Sequence, residues 1–313
     1  MTRFNRDASR WFIYLLGIAW IFTGAAIAQT NVRTTVQHVN FDSPEAWALK
    51  YFTSTTMLSG LQPPERPIEE RRFGSIAVGL ELGWLPALSP EQARVGFGGK
   101  KEEDLNKAPI FARPRVTVGL PWRFSLIAAA PPTLRVFGVA PHLFAHGLER
   151  PILERDQWRL DWRVSGQLGS VNGAFTCPNS ALGFPSGSPN NPTGCIARSS
   201  DTISLRYAGT ELQFAHRIPR IPRLTPHVAA GVNFIDGVVQ VNAPLERFLD
   251  RTRLWTHGTT FSGSVGASYS LTRRVAFVVD AFYSPLGVQR SPTAPRANDE
   301  LFNVRALLSY NLR

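Results

Sequence analysis

The sequence predicts an all-β protein, a closed antiparallel β-barrel that crosses a membrane with about ten strands and carries a short helix near its N-terminus. Three observations predict it. From residue 74 onward, apolar residues recur at every second position in one segment after another, the period of a two-faced strand. Beyond the first thirty residues, no stretch is apolar over the ~18 residues that a membrane helix needs, so a further crossing has to be made by strands. The connections, finally, alternate between short and long along the chain, with one exception.

The N-terminus carries Arg3, Arg6 and Arg10, an apolar run from Trp11 to Ile21, and the small-residue close Ala26-Ile27-Ala28. That is the plan of a cleavable secretory signal over residues 1–28. The competing reading is a retained anchor, because Trp11 to Ala28 spans 18 residues. Residues 29–72 form a separate segment. Within it Asp42-Ser43-Pro44-Glu45-Ala46-Trp47-Ala48-Leu49 opens like a helix, with Ser43 as N-cap and Pro44 at the first helical position. The Pro-rich Gln62 to Pro67 then leads to the barrel at 73–313. The segment fits a luminal plug, a periplasmic lid, or an extra strand pair that would raise the count to twelve.

Three strands are plain. Ile76, Val78, Leu80, Leu82 and Trp84 alternate with small residues and Glu81; Trp158, Leu160, Trp162 and Val164 alternate with Arg159, Asp161, Arg163 and Ser165; Phe261, Val265, Ala267, Tyr269 and Leu271 alternate with serines and Gly266. Shorter versions at 111–120, 123–130, 135–148, 202–217, 226–240, 274–285 and 300–312 bring the total to ten. In 202–217 the apolar phase changes, from odd at Leu205 and Tyr207 to even at Leu212 and Phe214, and a bulge near Ala208 to Thr210 would absorb the slip. Short turns fall at Leu120 to Arg123, around Pro151 to Asp156, at Arg217 to Pro226 and at Thr272-Arg273. Long loops fall at 85–110, 171–201, 241–258 and 286–299, and Pro131 to Leu134 is short where a long loop is due.

Periodicity alone leaves open which face points outward. The polar faces combine Ser, Thr and Gly with charges, which suits a lumen, and aromatics such as Trp84, Trp122, Trp158, Trp255, Tyr283 and Tyr310 gather near strand ends, where membrane interfaces lie. The expected lumen charges are Glu81, Arg115, Arg159, Asp161, Arg163, Arg206, Glu211, Asp280 and Arg305. The arginines would favour anionic or polar solutes, or all of these charges would pair across a closed lumen. The net charge of +11 is scattered, without a basic-aromatic motif, which argues for anionic lipid as partner and against nucleic acid. Cys177 and Cys195, in one polar loop of an exported chain, are expected to form a disulfide.

Catalytic chemistry is not expected. His142 and His146 share a strand face about 13 Å apart, too far for one metal. His216 and His227 flank a basic turn, and His257, beside Thr259 and Thr260, is a lone rim histidine. No Gly-x-Ser-x-Gly or His-Glu-x-x-His motif is present, and Gly96-Phe97-Gly98-Gly99-Lys100-Lys101 lacks the spacing of a phosphate loop. No cofactor or metal is expected.

In the closing segment Phe302, Val304, Ala306, Leu308, Tyr310 and Leu312 alternate with Asn303, Arg305, Leu307, Ser309 and Asn311. It resembles the final strand of bacterial outer-membrane proteins, although the chain ends Leu312-Arg313 where that family ends in an aromatic residue. The resemblance implies the outer membrane as location, the barrel assembly machinery as a partner during insertion, and surrounding lipid and lipopolysaccharide. Ser43 to Gly60, and Pro114-Arg115-Val116-Thr117-Val118-Gly119-Leu120-Pro121 before Arg123-Phe124-Ser125, are similar to pieces of the outer-membrane transporters of long-chain fatty acids and other hydrophobic compounds; their Asn-Pro-Ala-Gly signature is missing. The function expected is a passive channel or small transporter for polar or hydrophobic solutes. A closed structural or adhesive barrel working through its loops is the alternative, and an outer-membrane hydrolase comes third.

Overall fold

In the computed structural model residues 31–61 and 73–312 are described; the leader expected at 1–28 and the Pro-rich Gln62–Pro67 lie outside them. The chain divides into two units, Met1–Asn31 and Val32–Arg313, and the second holds the barrel. Its ten strands are β1 Ile76–Trp84, β2 Ile110–Gly119, β3 Ser125–Ala129, β4 Ala140–Arg155, β5 Trp158–Gly173, β6 Asp201–His216, β7 Leu224–Gln240, β8 Arg253–Ser270, β9 Val275–Ser284 and β10 Leu301–Asn311. Each pairs antiparallel with its sequence neighbour, and β10 returns to β1 through Ala306↔Leu82 and Leu308↔Leu80, which closes the sheet.

The outward face is apolar. Leu80, Trp84, Phe144, Phe214, Phe234, Phe261 and Phe302 are all roughly half exposed, whereas Glu81, Arg113, Arg163, Asp280 and Arg305 on the inward face are almost fully buried. A water-soluble barrel would reverse that arrangement, because exposed apolar area costs about 25 cal/mol per Å² in water. Lipid accepts such a belt, and a closed sheet leaves no strand edge unpaired within it. The chain is therefore a transmembrane barrel of the outer membrane. The connections at 120–124, 156–157, 217–223 and 271–274 form the tight-turn end, and those at 85–109, 130–139, 174–200, 241–252 and 285–300 form the loop end, which faces outward in such barrels.

Several local expectations change. β4 starts at Ala140, so the expected Pro131 to Leu134 turn is the 130–139 connection, and β8 starts at Arg253, inside the loop expected at 241–258. Pro151 lies inside β4, beside a register shift between Pro151 and Leu153, so the β4–β5 turn is only Asp156-Gln157. A proline without an N–H is tolerated at such an irregularity. In β6 the register runs unbroken from Thr202↔Gln240 to Ala215↔His227, so there is no bulge at Ala208 to Thr210. Odd residues point inward throughout, and Ile203, Leu205 and Tyr207 are apolar because this part of the lumen is packed with protein.

The N-terminal segment does that packing. Val32–Arg33 pairs parallel with Leu249–Asp250 in a loop-end connection, and Val36–His38 pairs parallel with Arg253–Trp255 at the loop end of β8. This short strand extends β8 where β9 has already ended, since β9 pairs with β8 only as far as Tyr283↔Gly263. The chain then turns inward to α1, Pro44–Thr55, where the Ser43 hydroxyl caps the helix by accepting from the Ala46 amide at 3.3 Å. α1 lies in the lumen with Trp47, Leu49 and Tyr51 in the main core cluster, joined by Met57 just beyond its C-terminus, and no helix among the described residues is long and apolar enough to cross a membrane. Among the described residues the extra pair of barrel strands that would have made twelve is not formed.

Candidate functional site

The lumen has two halves of different chemistry. Toward the tight-turn end it is a lattice of charges built around residues 56–61. Arg113 is held by Glu81 at 2.8 Å and donates to the Thr56 carbonyl at 2.6 Å. Arg163 pairs with Glu149 at 2.7 Å and Glu211 at 3.2 Å, and reaches the carbonyls of Leu58 at 3.0 Å and Gly60 at 2.8 Å. Arg305 pairs with Asp280 at 3.1 Å and donates to Met57 O, while Arg115 donates to Leu61 O, both at 3.0 Å. The carboxylates take the amides: Glu211 accepts from Gly60 N and from the Ser59 hydroxyl, and Asp280 accepts from Leu61 N. Arg159 pairs with Asp161 nearer the tight-turn end. A buried ion pair is favourable only when its remaining hydrogen-bonding capacity is used, and the plug backbone supplies those partners.

Eight of the nine lumen charges read from the sequence thus point inward; Arg206 does not. It lies on the lipid side of β6 beside Asp236 of β7, its register partner, at 3.5 Å, and both are 41% exposed. It shares the even phase of Leu212 and Phe214, and the assumed slip placed it on the wrong face. Arg113 and Glu149 belong to the lattice and were missed, although both keep the odd parity of inward residues on β2 and β4. Cys177 and Cys195 are bonded and staple the 174–200 connection, where they pack with Ala243 and Leu245.

Toward the loop end the lumen is apolar. A chamber of about 460 Å³ lies between α1 (Tyr51, Phe52) and the inward faces at Phe111, Leu143, Ile203 and Leu205. Its wall is thin on one side. β3 reaches only Arg115↔Ala129 on β2 and Ala129↔Ala145 on β4, so no strand lies between the loop-end parts of those two neighbours. The 130–139 connection crosses that notch, joined to β2 by Ala130 N to Pro114 O and folded on itself through Val136 and Val139. Its Pro131, Pro132 and Leu134 line the chamber, although Leu134, like Phe137, remains mostly exposed.

A second cavity of about 200 Å³ adjoins the chamber across Phe52, Leu105, Phe175 and Ile203, and is lined in part by Arg33, Glu45, Glu103, Asp201 and Asp250. Burial pushes the Glu103 carboxyl up to about 7 against the pull of Lys101 at 3.3 Å. On α1, burial lowers Lys50 to about 8 although Asp42 stands 3.6 Å away; its ammonium donates to Gly287 O at 2.6 Å and ties the helix to the loop end. The Gly96 to Gly99 turn uses its Gly98 amide on Glu45 at 2.8 Å.

His142 and His146 face outward, His216 stacks on Trp158, His227 is buried inward, and His257 stacks on Trp255 beside His38. Among the described residues no group of three or more His, Cys, Asp or Glu is placed to hold a metal ion.

No family model matches the chain, and no curated protein matches it. Among solved structures it is similar to the outer membrane protease OmpT from Escherichia coli, at 12% identity and a TM-score of 0.39 over 76% of this chain and 94% of that one. It is also similar to the Pseudomonas putida toluene transporter TodX, at 9% identity and 0.32 over 88% and 78%, and to LpxR from Salmonella typhimurium, at 12% identity and 0.32 over 75% and 99%. These are outer-membrane barrels of different roles, and the class rests on the strands themselves: this chain is an outer-membrane β-barrel. Within that class it is a ten-stranded barrel whose own N-terminal segment fills the lumen.

Proposed function

We propose that this barrel is a small transporter that takes a compact hydrophobic solute into its loop-end chamber. The observation that carries the reading is the chamber: about 460 Å³, lined by aromatic and aliphatic side chains. That volume falls within the range of sites for small organic ligands, ~300–1,000 Å³. The notch over β3, crossed by the 130–139 connection, would give an apolar solute a lateral way into the chamber. A diffusive path for anions is disfavoured with the plug in place, because the guanidinium groups that would attract them are engaged by carboxylates and by the carbonyls of residues 56–61. The reading is non-catalytic. It keeps β10 as the segment offered to the barrel assembly machinery and lipopolysaccharide as the lipid around the outer rim.

The test is titration of the refolded protein in detergent with an environment-sensitive apolar fluorophore, followed by displacement with toluene-sized and longer-chain compounds. Saturable, displaceable binding is expected. A protein that binds none of them, yet migrates as a folded barrel, overturns the reading.

A further inference from the structure

The charge that is scattered along the sequence is gathered by the fold. The four described tight-turn connections and the adjoining strand end at 154–155 hold Arg123, Arg155, Arg217, Arg220, Arg223, Arg273 and Arg274, with no lysine, against Glu154 and Asp156 alone. The five loop-end connections are much longer in total, yet ten basic residues there are nearly balanced by eight acidic ones. From this asymmetry and the surroundings of the arginines, we infer that the tight-turn rim is a binding surface for anionic phospholipid headgroups of the inner leaflet, selected over zwitterionic ones.

The four turns form one continuous arc. Arg123 pairs with Glu154 at 2.5 Å, which ties the 120–124 turn to the end of β4. The Arg217 amide donates to Gln157 O at 2.8 Å, and the Ser270 amide donates to Arg223 O at 2.9 Å, so the 156–157, 217–223 and 271–274 turns stand side by side. Arg155, Arg220, Arg223 and Arg274 are exposed and, among the described residues, form no ion pair. Like charges crowded on one rim repel each other and gain from a shared counter-charge, which an anionic bilayer surface supplies. The use of arginine throughout favours phosphate in particular, because the planar guanidinium fork matches two phosphate oxygens at once.

The same turns carry groups suited to the membrane interface. Trp122, Ile221 and Leu271 are 81%, 49% and 47% exposed, each beside an arginine of the arc or one residue removed from it. On the lipid-facing side of β4 near this end, the Arg150 guanidinium lies 5.1 Å from the centre of the Phe124 ring. Apolar groups at this level settle among the glycerol and upper acyl carbons, and the neighbouring guanidinium groups then reach the height of the phosphates. A rim made for a soluble acidic partner would leave those apolar groups in water. The selection follows from net charge. A zwitterionic headgroup brings its own ammonium, which the arginines repel, whereas an anionic headgroup leaves its phosphate charge uncompensated.

This inference is independent of the apolar chamber, and its test is separate. The barrel is refolded into phosphatidylcholine vesicles that contain a trace of spin-labelled phosphatidylglycerol or spin-labelled phosphatidylcholine. Electron paramagnetic resonance should show a severalfold preference for phosphatidylglycerol in the motionally restricted lipid at the protein surface, and the preference should shrink at high salt. The triple variant Arg220→Gln/Arg223→Gln/Arg274→Gln should bring the two lipids close to equality. Arg135→Gln/Arg198→Gln at the loop end should keep the wild-type preference. Heat-modifiable migration identifies variants that have folded. Equal restriction of both lipids by the wild type overturns the inference. So does a folded triple variant that keeps the full preference, or a folded loop-end variant that loses it. Cosedimentation with purified peptidoglycan that needs the same three arginines, without any lipid preference, would assign the rim to the cell wall instead.

Discussion

Arg163 Nη1 lies 2.8 Å from the carbonyl oxygen of Gly60, so a strand of the barrel wall grips the backbone of the segment that closes the lumen. The same guanidinium is neutralised by Glu149 and Glu211. Arg163→Ala removes both functions: Glu149 and Glu211 lose their common counter-charge, and the carbonyls of Leu58 and Gly60 lose their donor. Breaking a buried pair from one side costs about 3–5 kcal/mol. The expected result is a plug that leaves its seat part of the time, read as intermittent conductance in planar bilayers where the wild type is silent. A silent Arg163→Ala barrel with normal heat-modifiability would show that the plug is held elsewhere.

Gly60 is also a position where only glycine fits. Its φ of +61° costs an L-residue roughly 1–2 kcal/mol in backbone energy, and the approach to Asp280 leaves no room for a methyl group. Gly60→Ala should lower the temperature at which the heat-modifiable band is lost. Ala at the open Gly183, which also has positive φ (+89°) but no atom within 4 Å of its Cβ position, isolates the backbone part of that effect.

The barrel was legible in the sequence because its physics is periodic: Ile76 to Trp84, Trp158 to Val164 and Phe302 to Leu312 each announce one lipid face and one inner face. The lattice was legible for the same reason, since Glu81, Arg115, Asp161, Arg163, Asp280 and Arg305 fall on the alternate positions. The chamber was not legible. Leu205 and Tyr207 broke the pattern of β6, and the break was assigned to the backbone, as a bulge, when its cause was a change in what the inner face touches. Alternation reports the contrast between two faces, so where α1 makes the inner face apolar as well, that contrast vanishes. The short β3 is legible close to its place, at 123–130, but the sequence puts the start of β4 five residues early, at 135, because residues 135–139 include Val136, Phe137 and Val139 and are as apolar as a strand.

The chamber reading makes a volume prediction. Leu143 on β4 points inward and borders the cavity. Leu143→Trp places an indole in that space without adding charge, and should weaken binding of an apolar fluorophore by roughly tenfold, about 1.4 kcal/mol. Phe144→Trp, one residue on and facing lipid, should leave binding unchanged. Equal effects from the two substitutions would point to non-specific adsorption on the belt.

The disulfide acts on a loop. Cys177–Cys195 closes a separation of 18 residues at the loop end, remote from the strand ladders. A crosslink of that length contributes about 3 kcal/mol to the ordering of the segment it closes. Reduction, or the double Cys177→Ser/Cys195→Ser variant, should therefore open residues 174–200 to protease added to intact cells while the barrel keeps its fast-migrating band. Loss of that band would show that the loop is needed for the barrel itself.

Glu103 sets a pH dependence in the loop-end cover. Its carboxyl ionises at about 7 in the folded protein against an ordinary 4.5, because burial outweighs the attraction of Lys101. Between those two values the docked 93–105 segment retains a proton that the undocked segment has released, so docking is at full strength below pH 4.5 and weakens as the pH rises through 7. The Asp104 amide, which donates to Phe175 O at 3.2 Å, reports the docking directly. After correction for intrinsic exchange, its hydrogen-exchange protection should fall between pH 5 and pH 8. In Glu103→Gln, which cannot ionise, protection should be the same at both values. A wild-type protection that does not change with pH would mean that the Lys101 pair holds the carboxylate charged in the docked loop, and the 101–105 wall between the two cavities would then be insensitive to pH.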